Sequence, residues 1–191
     1  MSLSDTDRQY LLKLARETIV LRLHKEELPP LDSDTLPESL SGDGACFVTL
    51  TKRGALRGCI GSLEPRRLLV EDVRKNAAAA AFSDPRFPPV SVQELDDLQI
   101  ELSILSAAQP LSYNGPDDLI AKLRPGVDGV FIESGWNRAT FLPQVWEKLP
   151  DPDQFLGQLC RKAFLDTDAY RRPGLKVSIY QVLKFVEENR T

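Results

Sequence analysis

Residues 55–65 read ALRGCIGSLEP. The stretch sets a guanidinium, Arg57, and a thiol, Cys59, two residues apart, with Gly58 between them and Gly61 just beyond. In a strand, side chains two apart share a face, so Arg57 and Cys59 are expected to project together while Leu56 and Ile60 turn toward the core. A nearby guanidinium favours thiolate over thiol, and thiolate is the nucleophilic form. The plainer alternative is a small, polarisable cysteine packed at a strand end. Gly58 and Gly61 leave backbone uncovered, which suits a bulge, a positive φ, or close approach by a ligand or another chain.

Glu101 lies mid-strand on a polar face, where it can serve as a base or pair with Arg57 or Arg86; a solvated carboxylate is the simpler reading. Asp84 and Arg86 stand in the proline-rich loop SDPRFPPV, which proline stiffens before any binding event; a local salt bridge explains them equally well. The one histidine, His24, falls near the end of the first helix among Lys25 and Glu26, so a Cys–His nucleophile pair is not expected. Cys46, Cys59 and Cys160 are odd in number and lack a CxxC spacing, which argues against a disulfide framework and a zinc cage. No Walker loop, GxGxxG, HExxH or GxSxG occurs. No metal site is expected, and no cofactor can be read from the residues.

The elements that must position these groups follow from pattern. Ser4 and Asp7 form a capping box for a helix reaching about residue 24, and 27–44 is a polar surface connection. CFVTLTK and ALRGCI are two strands turned by Arg53–Gly54. Pro65 is placed to open a helix whose buried stripe is Leu69, Val73, Ala77, Ala80 and Ala81. SDPRFPPV is expected to be extended. SVQE caps a short helix before the alternating strand LQIELSILS. A helix to about 123, a hairpin across 128–142, a short helix at PQVWEKL, a helix capped by Asp151 and a closing strand LKVSIYQVLKFVEE complete the chain. Trp136 and Trp146 are expected to pack rather than stack on bases. Hairpins separated by helices, without βαβ alternation, give an α+β fold with antiparallel or mixed sheets.

At 191 residues with 42% hydrophobic and 27% charged content, a single domain spanning 1–191 is expected. No apolar run approaches a membrane span, and the first residues do not read as a signal peptide. No membrane association and a cytoplasmic location are therefore expected. Net charge is −4, which excludes a uniformly basic nucleic-acid binder. The segment 52–86 is nevertheless +4, leaving −8 for the rest, so a local positive field can attract an anion near Arg57. A solvated helix face at 66–75 accounts for about half of those charges.

In order along the chain, LRGCIG at 56–61, DPRF with Pro89, IELSILS at 100–106, FLPQV at 141–145 and CRKA at 160–163 resemble the AMMECR family from about residue 5 to 186. The resemblance implies an α+β fold of two packed lobes around a cleft. It puts Arg57, Cys59, Asp84, Arg86, Glu101, Gln144 and Lys162 forward as cleft residues. Phe164 departs from it, because glycine usually follows KA there, and no tryptophan precedes Phe155–Leu156. Prokaryotic relatives are associated with Memo-like and radical-SAM proteins, which implies a modification pathway and two partners.

The resulting expectation is a protein that binds an anionic small molecule or nucleotide-like ligand in its cleft and takes part in a modification reaction. Cys59 would be the nucleophile, Glu101 would move a proton or position Arg57, and Arg57, Gly58, Gly61, Asp84, Arg86, Gln144 and Lys162 would hold the ligand. The rival is a non-catalytic module that presents LRGCIG to a protein or RNA. A third reading makes the segment structural, with Arg57 paired to Glu101.

Overall fold

The structure, a computed structural model, describes residues 3–31 and 36–188. Part of the expected connection at 27–44, residues 32–35, lies outside the described residues. The described residues form two compact units, one of those up to 105 together with 183–188, the other of 106–182.

The first unit is a sheet of order β2-β1-β3-β8, comprising β1 (Ala45–Lys52), β2 (Ala55–Gly61), β3 (Leu98–Leu105) and β8 (Val182–Val186). Helices α1 (Asp5–Leu23) and α2 (Leu69–Phe82) pack on it. Helix α1 opens with the anticipated capping box, Ser4 accepting from the Asp7 amide while the Asp7 carboxylate accepts from the Ser4 amide. Strands β1 and β2 turn through Arg53 and Gly54, whose φ values of 52° and 80° are the pair of positive angles a tight hairpin turn needs. Val48, Leu50, Ile100 and Leu102 face the helices and are fully buried with Leu11, Ile19, Val73 and Ala77.

Helix α2 begins at Leu69, four residues later than Pro65. The preceding loop is held by other strand ends: the Gly44 amide donates to Arg67 O, the Leu69 amide donates to Gly42 O, and Leu68 bridges Asp43. Arg66 and Arg67 therefore sit in a pinned loop rather than on a helix face. Asp84–Phe87 is a turn, closed by the Phe87 amide on Asp84 O, rather than extended chain, because Pro85 supplies the φ that a turn's second residue requires.

The second unit is a sheet of order β4-β7-β5-β6, comprising β4 (Gln109–Pro110), β5 (Gly129–Ser134), β6 (Asn137–Phe141) and β7 (Lys176–Tyr180), with α3 (Pro116–Lys122) and α4 (Pro152–Lys162). Asp151 caps α4 by accepting from the Gln154 amide, and Phe155, Leu156, Leu159 and Cys160 are buried as the spacing predicts. Trp146 stacks on Phe155 with ring centroids 3.6 Å apart and donates to Asp128 O. Trp136, in contrast, is fully exposed at the tip of the β5–β6 hairpin, so the expectation that it packs is corrected: a two-residue turn leaves its side chain no neighbour to bury against. The expected closing strand is two strands interrupted at Gln181, with β7 in the second sheet and β8 in the first.

The candidate site along strand β2

Strand β2 is an edge strand, and its local irregularity decides where its side chains go. Leu50 opposes Gly58 and Thr51 opposes Leu56, which makes Arg57 the extra residue of a β-bulge. The bulge breaks the two-residue alternation. Leu56 is consequently half exposed instead of facing the core, and Arg57 is buried to 9% exposure. Nε and Nη2 of Arg57 donate to the two carboxylate oxygens of Glu94 at 2.9 and 3.1 Å, and Lys52 Nζ reaches the same carboxylate at 3.1 Å. Glu94 is also the capping-box residue of the 3-10 helix Val92–Asp97. Its carboxyl is held well below the usual range, first by the Arg57 guanidinium and also by the Ser91 amide. Arg57 Nη1 is buried and meets no acceptor among the described residues.

Cys59 lies two residues beyond the bulge, where pairing with β1 is regular again. Its amide donates to Asp84 Oδ2 at 2.9 Å, and its carbonyl accepts from Arg86 Nη2 at 3.2 Å. The DPRF turn thus supplies the two hydrogen bonds that a further strand would have made to this edge. Arg86 forks onto the buried Asp84 through Nε and Nη2 at 2.9 and 2.6 Å, which depresses the Asp84 carboxyl far below its ordinary range. Arg86 itself is shifted up, foremost by its hydrogen bonds to Asp84. The Thr49 hydroxyl donates to Cys59 Sγ at 3.3 Å.

Thr49 opposes Cys59 on one side and Glu101 on the other, and Glu101 pairs with Lys184 of β8 at 2.8 Å. A row of Cys59, Thr49, Glu101 and Lys184 therefore crosses the sheet on the face away from the helices. The third reading's Arg57–Glu101 pair does not form: Glu101 belongs to this row, while the bulge sends Arg57 to Glu94. Glu94 was visible in the sequence as a capping residue, but nothing local joined it to Arg57. Thr49 and Lys184 carried no signal without strand pairing.

The glycines have their own occupants. A Cβ on Gly58 would lie 2.2 Å from the Ala80 carbonyl oxygen, and one on Gly61 would lie 2.3 Å from the Phe47 ring. The close approach they permit is that of α2 and of an aromatic ring. Cys46 and Cys160 are buried, and burial pushes both thiols up. In the second unit, Gln144 is exposed in the 3-10 helix Pro143–Glu147, and Lys162 donates to Thr140 O at 2.9 Å beside the Phe141 ring. Among the described residues, no three His, Cys, Asp or Glu side chains gather where they could hold a metal ion, and no helix is long and apolar enough to cross a membrane.

The chain is similar to known proteins over most of its length. A protein of Methanothermobacter thermautotrophicus is 40% identical over 187 residues, 97% of each chain, and one of Thermofilum pendens is 39% identical over 97% of this chain and 92% of its own. The crystal structure of the uncharacterized protein PH0010 from Pyrococcus horikoshii is similar, with a TM-score of 0.75 at 36% identity, covering 94% of this chain and 91% of that one. The AMMECR1 family model matches residues 12–185, and the chain belongs to that family.

Proposed function

We propose that the protein binds an anionic small molecule on the outer face of the first sheet and uses Cys59 as a nucleophile toward it. The observation that carries this reading is the environment of the thiol. Cys59 is the one cysteine of the three that is not buried, it accepts a hydrogen bond from a hydroxyl, and its backbone is fixed by Asp84 and Arg86 on the outer side. Attack would form a bond from sulfur to an electrophilic carbon of the ligand and send the electron pair to its leaving atom. The Glu101–Lys184 pair in the same cross-strand row is the proton-transfer element. Arg57 holds Glu94 and so positions the bulge rather than the ligand, while Arg86 presents the site's charge to solvent.

The test is alkylation of each cysteine as a function of pH, read by peptide mass spectrometry on the native protein. Cys59, the cysteine that is not buried, is expected to react fastest, with Cys46 and Cys160 inert. A Cys59 that is alkylated no faster than Cys46 and Cys160 overturns the nucleophile.

The exposed Leu56 at the start of LRGCIG and Leu63 just beyond it favour a second reading, a non-catalytic interaction surface for a protein such as the Memo-like one that the resemblance implies. Leu56→Asp would then abolish binding of the purified Memo-like relative while leaving Cys59 reactivity untouched. Equal binding by both forms removes that surface.

A further inference from the structure

The arginines of this region differ in which edge of the guanidinium they commit. Arg57 and Arg86 give their Nε–Nη2 edges to Glu94 and Asp84, and Arg66 gives its own to Glu64. That edge carries the two parallel N–H groups that match an oxyanion bidentately. Arg67 is held the other way. Its Nη1 donates to Asp72 at 2.7 Å, and its Nε and Nη2 receive no acceptor from a described residue.

The anchor behind Arg67 is rigid. Asp72 is 1% exposed and accepts from the Cys46 amide at 3.0 Å, from Asn76 Nδ2 at 2.8 Å and from the Ser62 hydroxyl at 2.8 Å. The loop carrying Arg67 is fixed at Ser62, whose amide donates to Cys46 O, and at Arg67 itself, whose carbonyl accepts from Gly44. The side chain of Arg67 remains 29% exposed, and it lines a cavity of about 340 Å³ with Gly61, Ser62, Leu63, Arg66 and Lys75. Glu64 also faces this cavity but is engaged by Arg66, whereas Lys75 pairs with no described carboxylate. The fork is therefore preorganised, so little freedom is lost when an anion docks.

The structure assigns this cavity as the seat of a small-molecule phosphate, held by the Arg67 fork with Lys75 as a third donor. A carboxylate would fill the fork and leave Lys75 unused, whereas a phosphate has oxygens for both. Gly61 at the cavity wall is two residues along the strand from Cys59, about 6.7 Å, so a phosphate seated there would carry the rest of its molecule toward the thiol. The assignment rests on the preceding section only for what the phosphate is attached to. The net charge of −4 and the size of the cavity favour a small ligand over an RNA backbone.

The experiment is calorimetric titration of the full chain with inorganic phosphate, phenyl phosphate, acetate and a short single-stranded RNA. The wild type, Arg67→Lys and Lys75→Glu forms are compared. Arg67→Lys keeps a charge for Asp72 but removes the fork, and Lys75→Glu changes only an exposed residue, so it remains informative if the first variant folds poorly. Saturable binding of both phosphates, weakened at least tenfold in each variant and absent for acetate, supports the assignment. No saturable phosphate binding by the wild type, unchanged binding in Lys75→Glu, or binding of the RNA alone overturns it. Phosphate binding by a protein whose Cys59 is alkylated no faster than Cys46 and Cys160 supports the fork and overturns the nucleophile. The reverse result overturns the fork and leaves the nucleophile standing.

Discussion

Phe164 has a φ of 59° and a side chain 92% exposed, two costs at one residue with no contact to offset them. Its position explains the angle. The Phe164 amide donates to Arg161 O and the Leu165 amide to Cys160 O, the paired bonds of a Schellman ending in which the residue after the cap adopts left-handed geometry. Glycine, which the family resemblance leads one to expect there, has no Cβ to clash. Phe164→Gly is expected to stabilise the protein by about 0.5–1 kcal/mol, the steric cost relieved less the extra freedom glycine brings to the unfolded chain. Thermal unfolding checks it by an increase in Tm. Gly58 is the opposite case, because its missing side chain is required by a neighbour: Gly58→Ala would press a Cβ onto the Ala80 carbonyl oxygen. Displacing α2 is expected to cost about 1–3 kcal/mol, which the same melts would record as a loss.

At the scale of elements, the segment from Asp84 to Asp97 is sewn to the edge of β2 by two carboxylates. Both Asp84 and Glu94 are held below their ordinary ranges, by Arg86 and Arg57 foremost. A carboxyl whose folded pKa is depressed contributes stability that is complete above its unfolded pKa, about 4, and is lost as the pH falls from there toward the folded value. Urea midpoints are thus expected to decline below about pH 4, and Glu94→Gln is expected to flatten that decline. An unchanged slope in the variant would mean that Glu94 is not depressed in solution. The same segment shows what a sequence reveals. Capping boxes at Ser4 and Ser91, the turn at Arg53–Gly54 and the buried stripes of α2 and α4 are local patterns and were legible. The bulge at Arg57 was not, since an extra residue exists only relative to the strand opposite, and with it went the facing of Leu56 and the identity of Arg57's partner. Pro65 misled for a related reason: the loop after β2 is tied by Gly42 and Gly44, more than 20 residues earlier, so α2 could not begin where its own sequence allowed. The cross-strand row from Cys59 to Lys184 joins four strands and could not be assembled without their order.

At the scale of the molecule, the first unit is discontinuous in sequence, its sheet completed by β8 after the chain has built the second unit. A largely buried ion pair fastens that return. Arg16 of α1 forks onto Glu187, donating from Nε at 3.0 Å and also from Nη2, while its remaining donors reach Leu95 O and Leu98 O. Glu187 in turn accepts from the Ile100 amide at 3.1 Å, and its own amide donates to Ile100 O. Helix, central strand and chain end thus meet at one carboxylate. Removing one partner leaves a largely buried charge without its counterion, which costs about 3 kcal/mol, the low end for a buried pair because Glu187 keeps some exposure, whereas replacing both with apolar groups of similar volume costs far less. Arg16→Met and Glu187→Met are therefore each expected to reduce hydrogen-exchange protection of β1 and β3 amides by about 10²-fold, and the double variant to recover much of it. The double variant still frees the Leu95 and Leu98 carbonyls and the Ile100 amide, so recovery should stop short of the wild type. Additive losses in the double variant would show that the two residues act separately, and that the return of the chain is held by β8 pairing instead of by this ion pair.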